Sequence, residues 1–228
     1  MSIVGENSDI QARISWFTIQ STDLQAVAEV LGLDHVRSEK WQETIQPEAN
    51  TRVYVAQDNW VIVEIYDWDY NPANEADMSE DIDEGCAVAV EALLVKLSQQ
   101  FGEAQFFEFD TEEWCGPTSW MLARNGQIIR SFVYSPEFPP SWRNMGEPTA
   151  TESFIDWSRV QELESWSEED WDEWGEHEAE NEASNLVTGW QGMGPASVET
   201  IKIAREWSVD PLTPVDLSAV CLLGTGRF

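Results

Sequence analysis

Apolar and polar residues along this chain fall into short blocks, some alternating and some at helical spacing. The clearest block runs from Thr118 to Tyr134, TSWMLARNGQIIRSFVY. Two aromatic and β-branched runs flank Asn125-Gly126, a strong hairpin signal because both turn positions need the positive φ that Asn and Gly tolerate. A two-residue turn there pairs Arg124 with Gln127, Leu122 with Ile129, Trp120 with Ser131 and Thr118 with Val133. Alternation then predicts Trp120, Leu122, Ile129 and Val133 on one face. The other face carries Met121, Ala123, Ile128, Phe132 and Tyr134, with Arg130 among them. Both faces are largely apolar, which predicts a central hairpin covered on both sides.

The same reading extends along the chain. Residues 1–11 read as a loose arm and Arg13 to Ile19 as a strand. Ser21-Thr22-Asp23 opens a helix on which Leu24, Val27, Ala28 and Leu31 share a face, and Gly32 stops it. Residues 34–51 are polar and read as a long loop. Arg52 to Ala56 and Trp60 to Tyr66 are strands joined across Gln57-Asp58-Asn59. An acidic loop, Asp67 to Glu84, leads to a helix over Gly85–Phe101 with Val88, Ala92, Leu94 and Val95 as its apolar stripe. Glu103 to Asp110 is a further strand.

Residues 1–135 thus read β-α-β-β-α-β-β-β. This is an α+β core domain, a largely antiparallel sheet with two packed helices. Helix followed by hairpin recurs, which hints at a duplicated unit, although the residues do not visibly repeat. Residues 136–228 read as a Pro-rich connection, an acidic Trp-rich segment and a C-terminal helix docking on the core. Pro195 opens that helix, with Val198, Ile201, Ile203, Ala204 and Trp207. Asp210-Pro211 ends it, and the tail VDLSAVCLLGTGRF is apolar enough to dock on the body.

Charge changes the picture most. The 228 residues carry 43 acidic and 12 basic side chains, a formal net charge of -31. Contact with nucleic-acid phosphates needs clustered Lys and Arg, so direct nucleic-acid binding is disfavoured. Docking on an anionic membrane is disfavoured for the same reason. Rapid electrostatic capture of a basic partner is favoured, and plain solvation or salt adaptation would produce the same composition. Cys86, Cys115 and Cys221 are odd in number, far apart and without a CxxC pair, so a reducing compartment is expected. The N-terminus has no signal-peptide pattern and no apolar run approaches the length of a membrane span, which predicts a cytoplasmic protein.

Glu162 to Glu182 holds eleven acidic residues and no Lys or Arg, with Trp166, Trp171 and Trp174 interleaved. Carboxylates beside aromatic anchors suit a basic protein surface, and the competing reading is a solvated helix whose Trp residues pack back on the body. The segment suggests a short helix beginning near Ser165 or Ser167. The expected partner-binding residues are Trp166, Glu169, Asp170, Trp171, Glu173 and Trp174, with Asp67, Asp69, Asp81 and Asp83 as a second acidic edge. Asp67-x-Asp69-x-Asn71 begins like a calcium loop, but Pro72 stands where Gly is required and Met78 where a bidentate carboxylate is required. Glu173, Glu176, His177 and Glu180 do not make HExxH. No nucleotide loop is present, and neither His35 nor His177 lies near a nucleophile motif, so no cofactor, metal or catalytic residue is expected. Cys115 sits beside Glu112 and Glu113, which would suppress its thiolate. Arg130 is expected to pair with one of the many acids.

Three pieces carry a resemblance: the ISWFTI strand with its Leu-Gly-Leu helix end, the hairpin pattern of Trp120, Leu122, Gly126, Arg130, Phe132 and Tyr134, and the late Ile203, Ala204, Trp207, Asp210, Pro211 segment. Over about two-thirds of the chain their order resembles that of small uncharacterised bacterial α+β proteins from toxin-immunity and defence neighbourhoods. The resemblance implies an α+β fold. Together with the charge it leads to the expectation of a non-enzymatic immunity or inhibitor protein whose basic partner is a toxin or nuclease. A nucleic-acid mimic, a structural subunit and an enzyme without a recognisable motif are the alternatives.

Overall fold

The structure, a computed structural model, describes residues 13–41, 49–65, 82–110, 118–135, 141–163, 165–167, 169–170, 195–209 and 219–226. Nine strands are present among them: β1 (Arg13–Gln20), β2 (Asp34–Lys40), β3 (Thr51–Val55), β4 (Trp60–Ile65), β5 (Glu103–Asp110), β6 (Thr118–Arg124), β7 (Gln127–Ser135), β8 (Ser141–Met145) and β9 (Val220–Thr225). The helices are α1 (Leu24–Leu31), α2 (Ile82–Phe101), α3 (Trp157–Leu163) and α4 (Pro195–Trp207). The strands form one sheet in the order β2-β9-β3-β4-β1-β5-β6-β7-β8, and every neighbouring pair is antiparallel. The fold is mixed α+β.

Local chemistry sets several boundaries. The Asp23 carboxylate accepts from the Ala26 N–H at 3.0 Å and starts α1. Gly32, at φ +68°, stops it in the left-handed conformation. Asn125 and Gly126 take φ +49° and +78°, as their hairpin turn requires.

The hairpin register differs from the two-residue alternation. Ala123 faces Ile128 but Leu122 faces Arg130, so Ile129 is an extra, bulged residue. It is 41 % exposed. The one-residue slip turns the rest of β7 over, so that Trp120 faces Phe132 and Thr118 faces Tyr134. Arg130, Phe132 and Tyr134 therefore join Trp120 on one face, while Val133 moves to the other.

That first face, the front, buries Trp16, Tyr54, Ile62, Phe107, Trp120, Phe132, Cys221 and Leu223 against Ile155, Val160, Ile203, Ala204 and Val209. The back face buries Phe17, Val53, Val63, Phe106, Met121 and Leu222 in one core with Val27 and Leu31 of α1 and Val90, Leu94 and Leu97 of α2. The buried stripe of α2 is rotated from the expected one. Ala87, Val90, Glu91, Leu94 and Leu97 are buried, whereas Val88 is half exposed and Ala92 exposed. A polar position belongs to the stripe because the Glu91 carboxylate accepts from Arg143 Nε at 2.8 Å and Nη2 at 3.0 Å.

Three segments expected as coil or as a docked tail are strands. Asp34–Lys40 falls in the expected loop, Ser141–Met145 in the Pro-rich connection, and Val220–Thr225 in the tail. β2 has no buried residue, so its sequence carries no alternating apolar signal; pairing with β9 makes it a strand. β9 enters the sheet between β2 and β3.

Arg130, fully buried, is tied to the equally buried Glu152. Its Nε lies 3.1 and 2.8 Å from the two carboxylate oxygens and Nη2 lies 2.7 Å from Oε2. Nη1 donates to Asn144 Oδ1 at 2.7 Å and to the carbonyls of Met145 at 2.9 Å and Ser131 at 3.1 Å. Glu152 Oε1 also accepts from the Thr149 N–H and hydroxyl. Glu152→Ala leaves a buried guanidinium without its counter-charge and should lower unfolding free energy by about 3–5 kcal/mol in urea titrations. The double variant Arg130→Met/Glu152→Leu should regain most of that loss.

Candidate functional site

Among the proposed partner-binding residues, Trp166, Glu169 and Asp170 fall where the structure is described. Trp166 is half-buried and packs against the front-face core. Glu169 and Asp170 are exposed and helical. Ser167 begins this turn: its N–H and hydroxyl donate to Asp170 Oδ2 at 2.8 and 2.6 Å, and its hydroxyl oxygen lies 3.3 Å from the Asp170 N–H. This reciprocal cap matches one of the two helix starts expected. Trp171, Glu173, Trp174, Asp67, Asp69 and Asp81 lie outside the described residues.

Asp83 falls in the first turn of α2. The register shows which way that turn points. Arg143, which grips Glu91, faces Val133; Ser119 also faces Val133, and Glu108 faces Ser119. Glu91 therefore stands level with Glu108, two residues from the end of β5. Asp83 is eight residues earlier, about 12 Å further towards that end at the helical rise of 1.5 Å. Ile65, the last residue of β4, faces Ser15, and Asp110, the last of β5, faces Arg13. The two strand ends and the start of α2 thus share one end of the sheet. Trp166 is anchored on the front face and α2 on the back.

Many of the basic side chains are paired within the molecule. Among the described residues Arg37, Arg52, Arg124, Arg130, Arg143 and Lys202, at least six of the twelve bases, each pair with a glutamate. Each pairing also neutralises one acid, so the surplus of 31 negative charges is unchanged and falls on the remaining acids.

Sequence reasoning missed three polar clusters, since each needs neighbours from distant strands. On the back face Glu108 Oε1 accepts from the Ser15 hydroxyl at 2.9 Å, and Oε2 lies 3.5 Å from the Ser119 hydroxyl. On the front, Gln105 Oε1 accepts from Thr18 at 2.9 Å and Ser208 at 2.6 Å, which fixes the end of α4 to the sheet. Further along, Arg52 lies 4.4 Å from the Trp41 ring centroid and 3.4 Å from Glu64, whose other oxygen accepts from the Tyr54 hydroxyl at 2.9 Å. Cys221, nearby and buried, has its thiol pushed up by burial, against the opposing pull of Arg52, so it stays protonated and unreactive at neutral pH. These clusters hold the layers together. Among the described residues no group of three His, Cys, Asp or Glu could hold a metal ion. No described helix is long and apolar enough to cross a membrane. Comparison with protein-family models, curated proteins and solved structures finds no match to the chain.

Hydrogen bonds from the Ser167 hydroxyl and N–H hold the Asp170 carboxyl below the usual carboxylate range. The folded-state pKa is depressed, so the cap's contribution is present above the unfolded value and is lost as pH falls through the lowered one. Carbon-detected NMR titration should find Asp170 ionising below an unstructured Asp, and Ser167→Ala, which removes the hydroxyl but keeps the backbone N–H, should return it part of the way to the ordinary value. An unchanged titration in Ser167→Ala would remove the Ser167 hydroxyl as the leading cause.

Proposed function

We propose that this protein is a cytoplasmic, non-enzymatic binding protein of immunity or inhibitor type that engages a basic protein partner through its acidic surface. The observation that carries this reading is the net charge of -31 in a chain of only twelve bases, at least six of which pair with glutamates among the described residues. Unneutralised acids set up a long-range field that draws in a basic surface and orients it before contact. Exposed Glu169 and Asp170 beside the half-buried Trp166 supply the chemistry for one patch: charge for encounter, with an aromatic edge for retention. The acidic Trp-rich stretch continues that patch in this proposal, and the Asp67, Asp69, Asp81 and Asp83 edge is a second one.

The test begins with affinity capture from native lysate at low salt and elution at high salt. Association kinetics are then measured with the purified basic protein. Its association rate should fall on the order of tenfold or more between low and near-molar salt. Glu169→Lys/Asp170→Lys should slow association while changing dissociation much less. A rate flat in salt would rule out steering. Displacement of the partner by DNA or RNA would favour a nucleic-acid mimic.

A further inference from the structure

We propose that β9 is a closing strap, the last strand to dock and one that opens ahead of the rest of the sheet, releasing β2 with it. β2 and β3 follow one another in the chain but do not pair; the strand between them comes from residues 220–225. β2 has only β9 as a sheet neighbour and buries none of its seven residues fully, with Val36 part-buried against the back-face core, so without β9 no strand pairs with it.

The remaining strands assemble by shorter closures. β3 with β4, β5 with β6, β6 with β7 and β7 with β8 are consecutive pairs, and β1 joins β4 and β5 within the first 110 residues. Pairing Tyr54 with Cys221 closes a far longer loop, and the entropy of closure grows with loop length. Docking α4 first shortens that step. Ile203, Ala204 and Val209 are buried in the front-face core, which leaves only residues 210–218 between an anchored point and the strap.

The strap's hold is also local. It pairs with β3 over Thr51–Tyr54 only, whereas β5 and β6 pair over seven residues. Its grip comes from Cys221, Leu222 and Leu223, all buried, from Gly224, and from hydrogen bonds at its ends. There Asn50 Nδ2 donates to the Gly226 carbonyl at 3.0 Å, the Gly226 N–H donates to Asn50 Oδ1 at 2.9 Å and the Trp41 N–H donates to the Ala219 carbonyl at 3.0 Å. A Cβ on Gly224 would lie 3.2 Å from Leu33 Cβ and 3.3 Å from Asp34 O. Contacts that form after the folding barrier resist unfolding without speeding folding.

Native-state hydrogen exchange on the full-length protein reads this without any variant. The β9 and β2 amides should exchange through one shared opening, at denaturant concentrations where β5, β6 and β7 remain protected. In stopped-flow kinetics Leu222→Ala should raise the unfolding rate about tenfold or more and leave the folding rate within about twofold, whereas Met121→Ala in β6 should slow folding. Gly224→Ala, a milder variant, should follow Leu222→Ala. Exchange of β9 only with global unfolding, or a folding rate that falls in proportion to the stability lost in Leu222→Ala, would overturn the proposal.

Discussion

A fully buried guanidinium decides how the front of this molecule is built. Arg130 reaches the front face only because Ile129 bulges out of β7 and turns the rest of the strand over. Once buried, it requires a counter-charge and acceptors for its other donors. Glu152 supplies the counter-charge, and Asn144 with the carbonyls of Ser131 and Met145 supplies acceptors for Nη1. The Arg130 guanidinium also lies 5.1 Å from the Trp157 ring, whose edge meets Phe132. One side chain thus fixes the hairpin, the edge strand β8, the turn at 149–152 and the start of α3 in a single arrangement.

The same constraint bears on charge. In a chain so poor in Lys and Arg, the bases stand where the architecture needs a cation. Arg143 clamps α2 to β8, Arg52 sits beside Trp41, and Arg124 holds Glu103 at the hairpin end. Each such pair ties distant segments together. The surplus carboxylates repel one another and opposite-charge partners are scarce inside the molecule, which leaves a negative field directed outward. Stability and the outward negative field therefore draw on one distribution of charge, in which Arg130 and Arg52 are buried and Arg37, Arg124 and Lys202 pair at the surface.

Much of the fold was legible because most strands announce themselves through local composition. The Asn125-Gly126 turn, the α1 cap at Asp23 and stop at Gly32, and the limits of β5 all follow from short-range preferences. The candidate surface was legible only as composition. The sequence pointed to the Ser167 cap as one of two possible starts, and it left open whether Trp166 faced a partner or the body, because a half-buried aromatic has the same local signature either way.

What the sequence determined by itself is therefore part of the local vocabulary: the strands and helices that carry their own apolar pattern or caps, the Asn125-Gly126 turn, and an acidic composition. Tertiary structure decided the rest. Whether Phe132 and Tyr134 share a face with Trp120 depended on one bulged residue, and a bulge leaves no mark on a two-residue period. Whether Asp34–Lys40 is a strand depended on a partner some 180 positions later, since an exposed edge strand needs no apolar alternation of its own. Which acid answers Arg130 depended on a turn that only packing brings beside it. These are outcomes of long-range pairing, where the free energy lies in contacts between segments and not in any one of them.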